Sequence, residues 1–180
     1  MAWSAPLTAV AGAGLSAAQW NASVRDNLNE SAPALATTAG GYFVATGTNA
    51  IAQRLPAVDI VDTSTESTAS TSYTDLTTFG PSVTVECGPM ALVGLSCWID
   101  NDGTTSASYA SWEISGDHTQ AVSDDWSLQR DGVTAVNGIR IGVTHLHTGL
   151  TAGTLTFTAK YKAGSGTASF LRRELWVLPL

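Results

Sequence analysis

The sequence predicts a mainly β protein: an antiparallel β-sandwich of the jelly-roll type, with a short N-terminal α-helix and a small β-hairpin. Three observations favour this fold class. Residues 57–180 hold about eight short apolar segments separated by turn signals, a spacing typical of sandwiches. Residues 154–162 alternate between apolar and polar side chains, which is the period of a strand with one buried face. The last segment, residues 167–180, is apolar on both faces.

This last segment also predicts association. On a straight strand Phe170, Trp176 and Leu178 fall on one face, and Leu171, Leu175 and Val177 on the other. A strand buried on both sides needs a covering layer, which in a small β protein is a second sheet or another subunit. We therefore expect an interface between copies of the chain that includes Phe170, Leu175, Trp176 and Val177.

Composition divides the chain into three regions. Residues 1–40 are rich in Ala, Ser, Gly and Pro and are expected to form an N-terminal anchor with one helix at about 16–29. Residues 41–56 predict a β-hairpin that connects the anchor to the rest. Residues 57–180 predict the sandwich, which forms a head.

The helix has a clear start. Ser16 is the expected N-cap, and Gln19 three residues later completes a capping box. The apolar seam consists of Ala17, Trp20, Val24 and Leu28. A helix of this length is marginal in water by itself, so it must dock, either in a threefold helical bundle or on a neighbouring protein.

Charge excludes several partners. The formal net charge is −7 and only 13% of residues are charged, so the chain lacks the basic patches that bind nucleic acid by counterion release. No segment is long and apolar enough to span a membrane, and the N-terminus lacks the basic start of a signal peptide. Low charge suits large contact surfaces, where charge is costly to bury.

Enzymatic motifs do not stand out. The sequence has no Gly-x-Ser-x-Gly elbow, no phosphate-binding loop and no dinucleotide fingerprint, so we expect no catalytic residues and no cofactor. A hydrolase would have to draw its carboxylate pair from residues beside predicted loops: Glu113, Asp117, Asp124 and Asp125. The acidic segment Asp100–Gly103 predicts a hairpin turn rather than a calcium loop.

Three further pairs of residues each allow two interpretations. His145 and His147 share a strand face; near the axis of a trimer they would offer imidazoles to a transition metal, and otherwise they are partly buried residues at the strand end. Trp112 and Trp126, placed in loops or on outer faces, would stack on sugar rings or pack in a core or interface. Cys87 and Cys97 are expected to be too far apart for a disulfide, with a bridge as the alternative.

Residues 15–29 carry a recognisable run, in which Trp20-Asn21 is followed by Val24-Arg25-Asp26-Asn27-Leu28. This run, together with residues 42–49, resembles small virion structural proteins of tailed bacteriophages with actinobacterial hosts, which are labelled minor tail or fibre-like proteins. Residues 153–161, 167–170 and 175–180 resemble the trimeric jelly-roll heads of phage fibres.

The resemblance implies a non-enzymatic virion protein that is assembled in the host cytoplasm. It would be a homotrimer and part of the tail, a fibre or the capsid decoration. Trp20, Val24, Arg25 and Leu28 would fix the anchor to other virion proteins, and Arg25 and Asp26 would make contacts between chains. The alternative is host attachment, in which the head binds a surface glycan through Trp112 and Trp126; a cell-wall hydrolase is a further alternative.

Overall fold

The structure is a computed structural model that describes residues 5, 7–8, 10–62, 64–103, 106–131 and 138–180. The chain divides into two compact units, Met1–Leu55 and Pro56–Leu180. The expected fold class is confirmed, because the structure is mainly β, with antiparallel sheets in a sandwich and one short helical stretch near the N-terminus.

The first unit holds the helical stretch and the hairpin. Its elements are α1 (Ala17–Trp20), a π-helical stretch (Asn21–Asp26), α2 (Asn27–Asn29), α3 (Ala32–Leu35), β1 (Tyr42–Gly47) and β2 (Ala50–Arg54). The predicted capping box is confirmed: the Ser16 hydroxyl accepts from the backbone N–H of Gln19, and the Gln19 side chain accepts from the backbone N–H of Ser16. Strands β1 and β2 pair antiparallel, as the sequence predicts.

The second unit is the sandwich. Its strands are β3 (Ala57–Val61), β4 (Glu66–Thr68), β5 (Ser82–Cys87), β6 (Met90–Asn101), β7 (Ser108–Gly116), β8 (Leu128–Arg130), β9 (Ile139–Thr148), β10 (Gly153–Ala163) and β11 (Ala168–Pro179). A 3-10 turn, Asp124–Trp126, precedes β8.

These strands form two antiparallel sheets with the topology of a jelly roll. One sheet has the order β3-β11-β6-β9, with the short β4 also paired to β11, and the other has the order β5-β10-β7-β8. Most connections cross from one sheet to the other, which is how a double Greek key closes a sandwich. The inward residues of both sheets form one core.

Some local predictions differ from the structure. The segment Asp100–Gly103 does not close a hairpin, because β6 and β7 belong to different sheets. Turn residues mark where a chain reverses but do not specify which sheet receives the next strand. Between β4 and β5 the chain forms only a single bridge, between Thr74 and Tyr161.

A bulge in β11 changes which of its residues face inward. Arg172 has a φ of 52°, and the register with β6 shifts between Leu171 and Glu174. The bulge places Phe170 on the same inner face as Leu175 and Val177, where each is 0% exposed.

The prediction that Phe170, Leu175 and Val177 lie in a subunit interface is therefore wrong, because the second sheet covers them within the chain. The prediction assumed an unbroken period of two along the strand. The outward residues of β11 are Leu171, Trp176 and Leu178, and these remain only half-buried.

The same bulge directs Arg173 into the interior. Its guanidinium is 1% exposed, donates to the carbonyls of Thr78 and Gly80 at 3.1 Å each, and lies 3.4 Å from a carboxylate oxygen of Glu66. It also sits over the ring of Tyr161, 5.4 Å from the centroid. Burial opposes the charge of Glu66, yet hydrogen bonds from Thr78 and the charge of Arg173 hold its pKa below the ordinary value. Arg173 thus ties the segment before β5 to the sheet.

We predict that Arg173→Met lowers the free energy of unfolding by about 3 kcal/mol, because it leaves the carboxylate of Glu66 without its ionic partner. Arg172→Met is the matched control, because the Arg172 side chain is 64% exposed, and we expect a change of less than about 0.5 kcal/mol. Denaturant titration followed by circular dichroism measures both; equal losses in the two variants would contradict this role for Arg173.

Candidate functional surfaces

The outer faces of the two sheets differ in polarity. The four-stranded sheet carries hydroxyls and charges on its outer side: Thr84 pairs with Thr156 at 2.8 Å and Ser82 with Thr158 at 3.0 Å. Lys162 forms an ion pair there with Asp124 and lies over two tyrosine rings. This face is suited to water.

The five-stranded sheet presents apolar side chains on its outer side. Cross-strand register places eight of them on this surface, here called the outer apolar face: Val58, Ile60, Leu92, Trp98, Leu146, Leu171, Trp176 and Leu178. Val58, Ile60 and Leu146 are 56%, 57% and 48% exposed, and the other five are half-buried. A cluster of exposed apolar side chains of this kind is typical of an interaction site.

Two tryptophans, Trp98 and Trp176, form a large part of the outer apolar face. A side chain at Gly94 would overlap the indole of Trp176, and one at Gly138 would overlap the indole of Trp98. The absence of a Cβ at both positions lets each ring lie against the neighbouring backbone.

One ion pair interrupts the outer apolar face. The Arg140 guanidinium contacts the Glu174 carboxylate at 2.8 Å and donates to the hydroxyl of Ser96 at 3.2 Å. The two charges cancel, so the centre of the face is polar but neutral.

The helical stretch leaves much of its predicted seam uncovered. Trp20 is 57% and Leu28 is 62% exposed. Val24 is half-buried and lines a cavity of about 150 Å³ together with Leu7 and Leu15. Asn27 is the buried residue instead, and its amide donates to the carbonyl of Ser23 at 3.0 Å.

The charged residues of the helical stretch, Arg25 and Asp26, contact each other within the chain. Their side chains form an ion pair at 2.8 Å. Contacts of these residues with other chains stay a prediction.

The prediction that Trp112 and Trp126 are available to stack on sugars is wrong. They are 0% and 8% exposed, because the alternating positions of β7 put Trp112 inward and the 3-10 turn folds Trp126 over it. The indole N–H of Trp126 donates to the carbonyl of Trp112 at 3.0 Å, and that of Trp112 donates to Nε2 of His147 at 2.9 Å. Both tryptophans are core residues.

The histidines take part in the same inner cluster. His147 is 3% exposed, and its ring lies 4.7 Å from that of His145 and 5.1 Å from that of Trp126, centroid to centroid. Its Nε2 lone pair is occupied by the Trp112 proton, so the neutral ring must carry its own proton on Nδ1.

This geometry corrects the metal hypothesis. His145 and His147 lie against Trp126 between the two sheets of the chain. Among the described residues, no group of three or more His, Cys, Asp or Glu side chains is arranged to hold a metal ion.

The carboxylates considered for hydrolysis each contact structural partners. Glu113 pairs with Lys160 at 3.2 Å, and Asp117 accepts from the backbone N–H of Thr154 at 2.8 Å. Asp125 accepts from the Ser123 hydroxyl at 3.1 Å.

Asp124, the fourth of these carboxylates, binds Lys162 and the Tyr73 hydroxyl. These two hydrogen bonds, that of Lys162 foremost, lower its pKa. A carboxylate held in its charged form in this way is suited to structure rather than to proton donation.

Both cysteines are buried and neither forms a disulfide. Burial raises the pKa of Cys97 to about 12, so its thiol stays protonated and unreactive near neutral pH.

Comparison with known proteins adds no assignment: no family model matches the chain, and no curated protein matches it. Among the described residues, no helix has the length and apolar character needed to cross a membrane.

The burial of His147 predicts that the protein loses stability as the pH falls. Burial, and secondarily the nearby His145 and His118, lower the pKa of His147 to about 4 from an ordinary value of 6.5. Between these two values the unfolded chain binds a proton that the folded chain does not, so stability falls as the pH falls. We expect a loss of about 2 kcal/mol in the free energy of unfolding from pH 7 to pH 5.

Denaturant titrations at pH 7 and pH 5 measure this loss. His147→Gln keeps an acceptor for Trp112 and cannot titrate, so most of the pH dependence should vanish. His118→Gln is the control, because it replaces a histidine outside the buried cluster and should leave most of the pH dependence in place. An unchanged pH dependence in His147→Gln would show that another group is responsible.

Proposed function

We propose that this chain is a non-enzymatic structural protein of a bacteriophage virion. In this proposal it is a homotrimer of the tail, a fibre or the capsid decoration. The N-terminal unit fixes it to other virion proteins, and the jelly-roll unit forms the projecting head.

The observation that carries the proposal is the outer apolar face. One sheet of the sandwich has a polar exterior and the other an apolar one, although both belong to the same small domain. A domain that functions alone in water gains nothing from exposing Val58, Ile60 and Leu146, whereas a building block of an assembly needs such a surface.

The helical stretch supports an anchoring role. Exposed Trp20 and Leu28 offer apolar contacts to a neighbour, and Val24 borders the adjoining cavity. The resemblance of residues 15–29 to the corresponding run of phage virion proteins points the same way. Tryptophan is also a residue that contributes strongly to protein interfaces.

Glycan binding through Trp112 and Trp126 is not carried forward, because both rings are buried. No other described contact favours that function over a structural one, and the four candidate carboxylates are engaged in the ion pairs and hydrogen bonds given above.

Antibody labelling of purified virions in the electron microscope tests the proposal. We expect the label at one defined position on the particle. Particles that carry no label, although the host cells contain the chain, would contradict a structural role in the virion.

The anchor is tested by supplying variants to particles that lack their own copy. The double substitution Trp20→Ala with Leu28→Ala should reduce incorporation at least about tenfold, since two exposed apolar side chains each contribute to docking. Asn29→Ala, also an exposed helical position, should incorporate normally. Normal incorporation of the double variant would remove these residues from the anchor.

A further inference from the structure

The outer apolar face and the adjoining edge strand β9 form a continuous surface. We propose that this surface binds second copies of the same chain, so that the outer sides of the five-stranded sheets meet inside the homo-oligomer. This inference rests on the self-association in the proposed function and identifies the surface and its occupant.

Charge favours a second copy as the occupant. The chain carries a net charge of −7, so two copies repel each other unless the surfaces that meet are free of net charge. The outer apolar face meets this condition because its acid, Glu174, is neutralised by Arg140 at 2.8 Å. A basic partner would instead select an acidic surface.

The outer apolar face supplies a large part of the area that a stable contact needs. Four strands about 4.8 Å apart, and the seven residues from Leu92 to Trp98, which are six rises of about 3.4 Å, give a face of roughly 400 Å² in projection. Side-chain relief increases the accessible area beyond this projection. A standard interface buries about 800 Å² on each partner, and the edge of the sheet supplies further contact.

The β9 edge lacks the usual protection against pairing with another strand. Its ten residues contain no Pro and no Lys, and its register with β6 runs through ten pairs without a bulge. Among the described residues its only ladder is the one with β6. Edge strands that must stay solitary are usually short, charged or bulged. Strand β9 is long and unbulged, and its one Lys or Arg residue, Arg140, is ion-paired with Glu174.

The position of the two edges is consistent with a ring. Strands β3 and β9 lie at opposite edges of one sheet, so each copy has two different edges to offer to two neighbours. Contacts between unlike surfaces generate closed rings when the rotation closes. In a ring of three, each outer apolar face turns toward the shared axis, away from water.

Light scattering of the full chain tests the inference with three substitutions. Ile60→Lys and Leu146→Lys each place a charge on the outer apolar face at an exposed position, so the subunit itself should fold. Thr84→Lys is the matched control on the polar outer face of the other sheet, where Thr84 is also exposed.

We expect the unmodified chain and Thr84→Lys to have three times the monomer mass of 18.6 kDa. For Ile60→Lys and Leu146→Lys we expect the dissociation constant to rise at least about tenfold, with monomers at dilutions where the control stays assembled. Circular dichroism should give the same folded signal for all four proteins.

Two results would overturn the inference: an unmodified chain that is monomeric, or an oligomer that tolerates both lysines as well as it tolerates Thr84→Lys. Virion labelling separates this failure from failure of the proposed function. A chain that is found in the particle but is monomeric retains its structural role and loses this interface. A trimer that is absent from the particle keeps the interface and loses the virion role.

Discussion

The structure depends on a single constraint: β11 lies in the middle of the five-stranded sheet and is apolar on both sides. The bulge at Arg172 assigns its residues to these sides. Phe170, Leu175 and Val177 pack against the other sheet and form the centre of the core. Leu171, Trp176 and Leu178 face outward, where no second layer of the sandwich exists. A jelly roll has only two layers, so a layer over this side must come from outside the sandwich, or the side stays wet.

The large polar side chains inside the sandwich form specific hydrogen bonds with partners in the same domain. Arg173 reaches two backbone carbonyls and Glu66, and His147 accepts the Trp112 indole proton while Trp126 donates to the backbone of Trp112. Such buried hydrogen bonds are costly to break singly, so they fix the arrangement of loops around the sheets. The packing of the interior therefore explains Trp112, Trp126 and His147, which the sequence analysis considered as residues that bind sugar or metal.

Much of the fold is predictable from the sequence, because the deciding signals are local. Ser16 and Gln19 are near neighbours, and the capping box they form follows from their spacing. The alternation in β6 puts Ala91, Val93, Leu95, Cys97 and Ile99 on one face, and all five are at most 1% exposed. The alternation in residues 154–162 likewise predicts β10 with its buried face.

The remainder depends on contacts between distant residues. Trp112 and Trp126 are indistinguishable from surface tryptophans until pairing decides which face of β7 is inward and where the 3-10 turn folds. The bulge breaks the period of two at Arg172, so the inward side of β11 cannot be read from alternation alone. The π-helical stretch shifts Asn27 inward and Leu28 outward, against the seam that a regular α-helix predicts. The outer apolar face itself emerges only when strands far apart in sequence are placed side by side.

Hydroxyl-radical footprinting at high and low protein concentration tests most directly whether copies of the chain shield the outer apolar face. The account predicts that Trp176 and Leu146 are protected at concentrations where the chain is assembled and become oxidised on dilution. Tyr109, on the outer side of the four-stranded sheet, should react equally at both concentrations and serves as the internal reference. Oxidation of Trp176 and Leu146 that is independent of concentration, in a protein that remains oligomeric, would contradict the account.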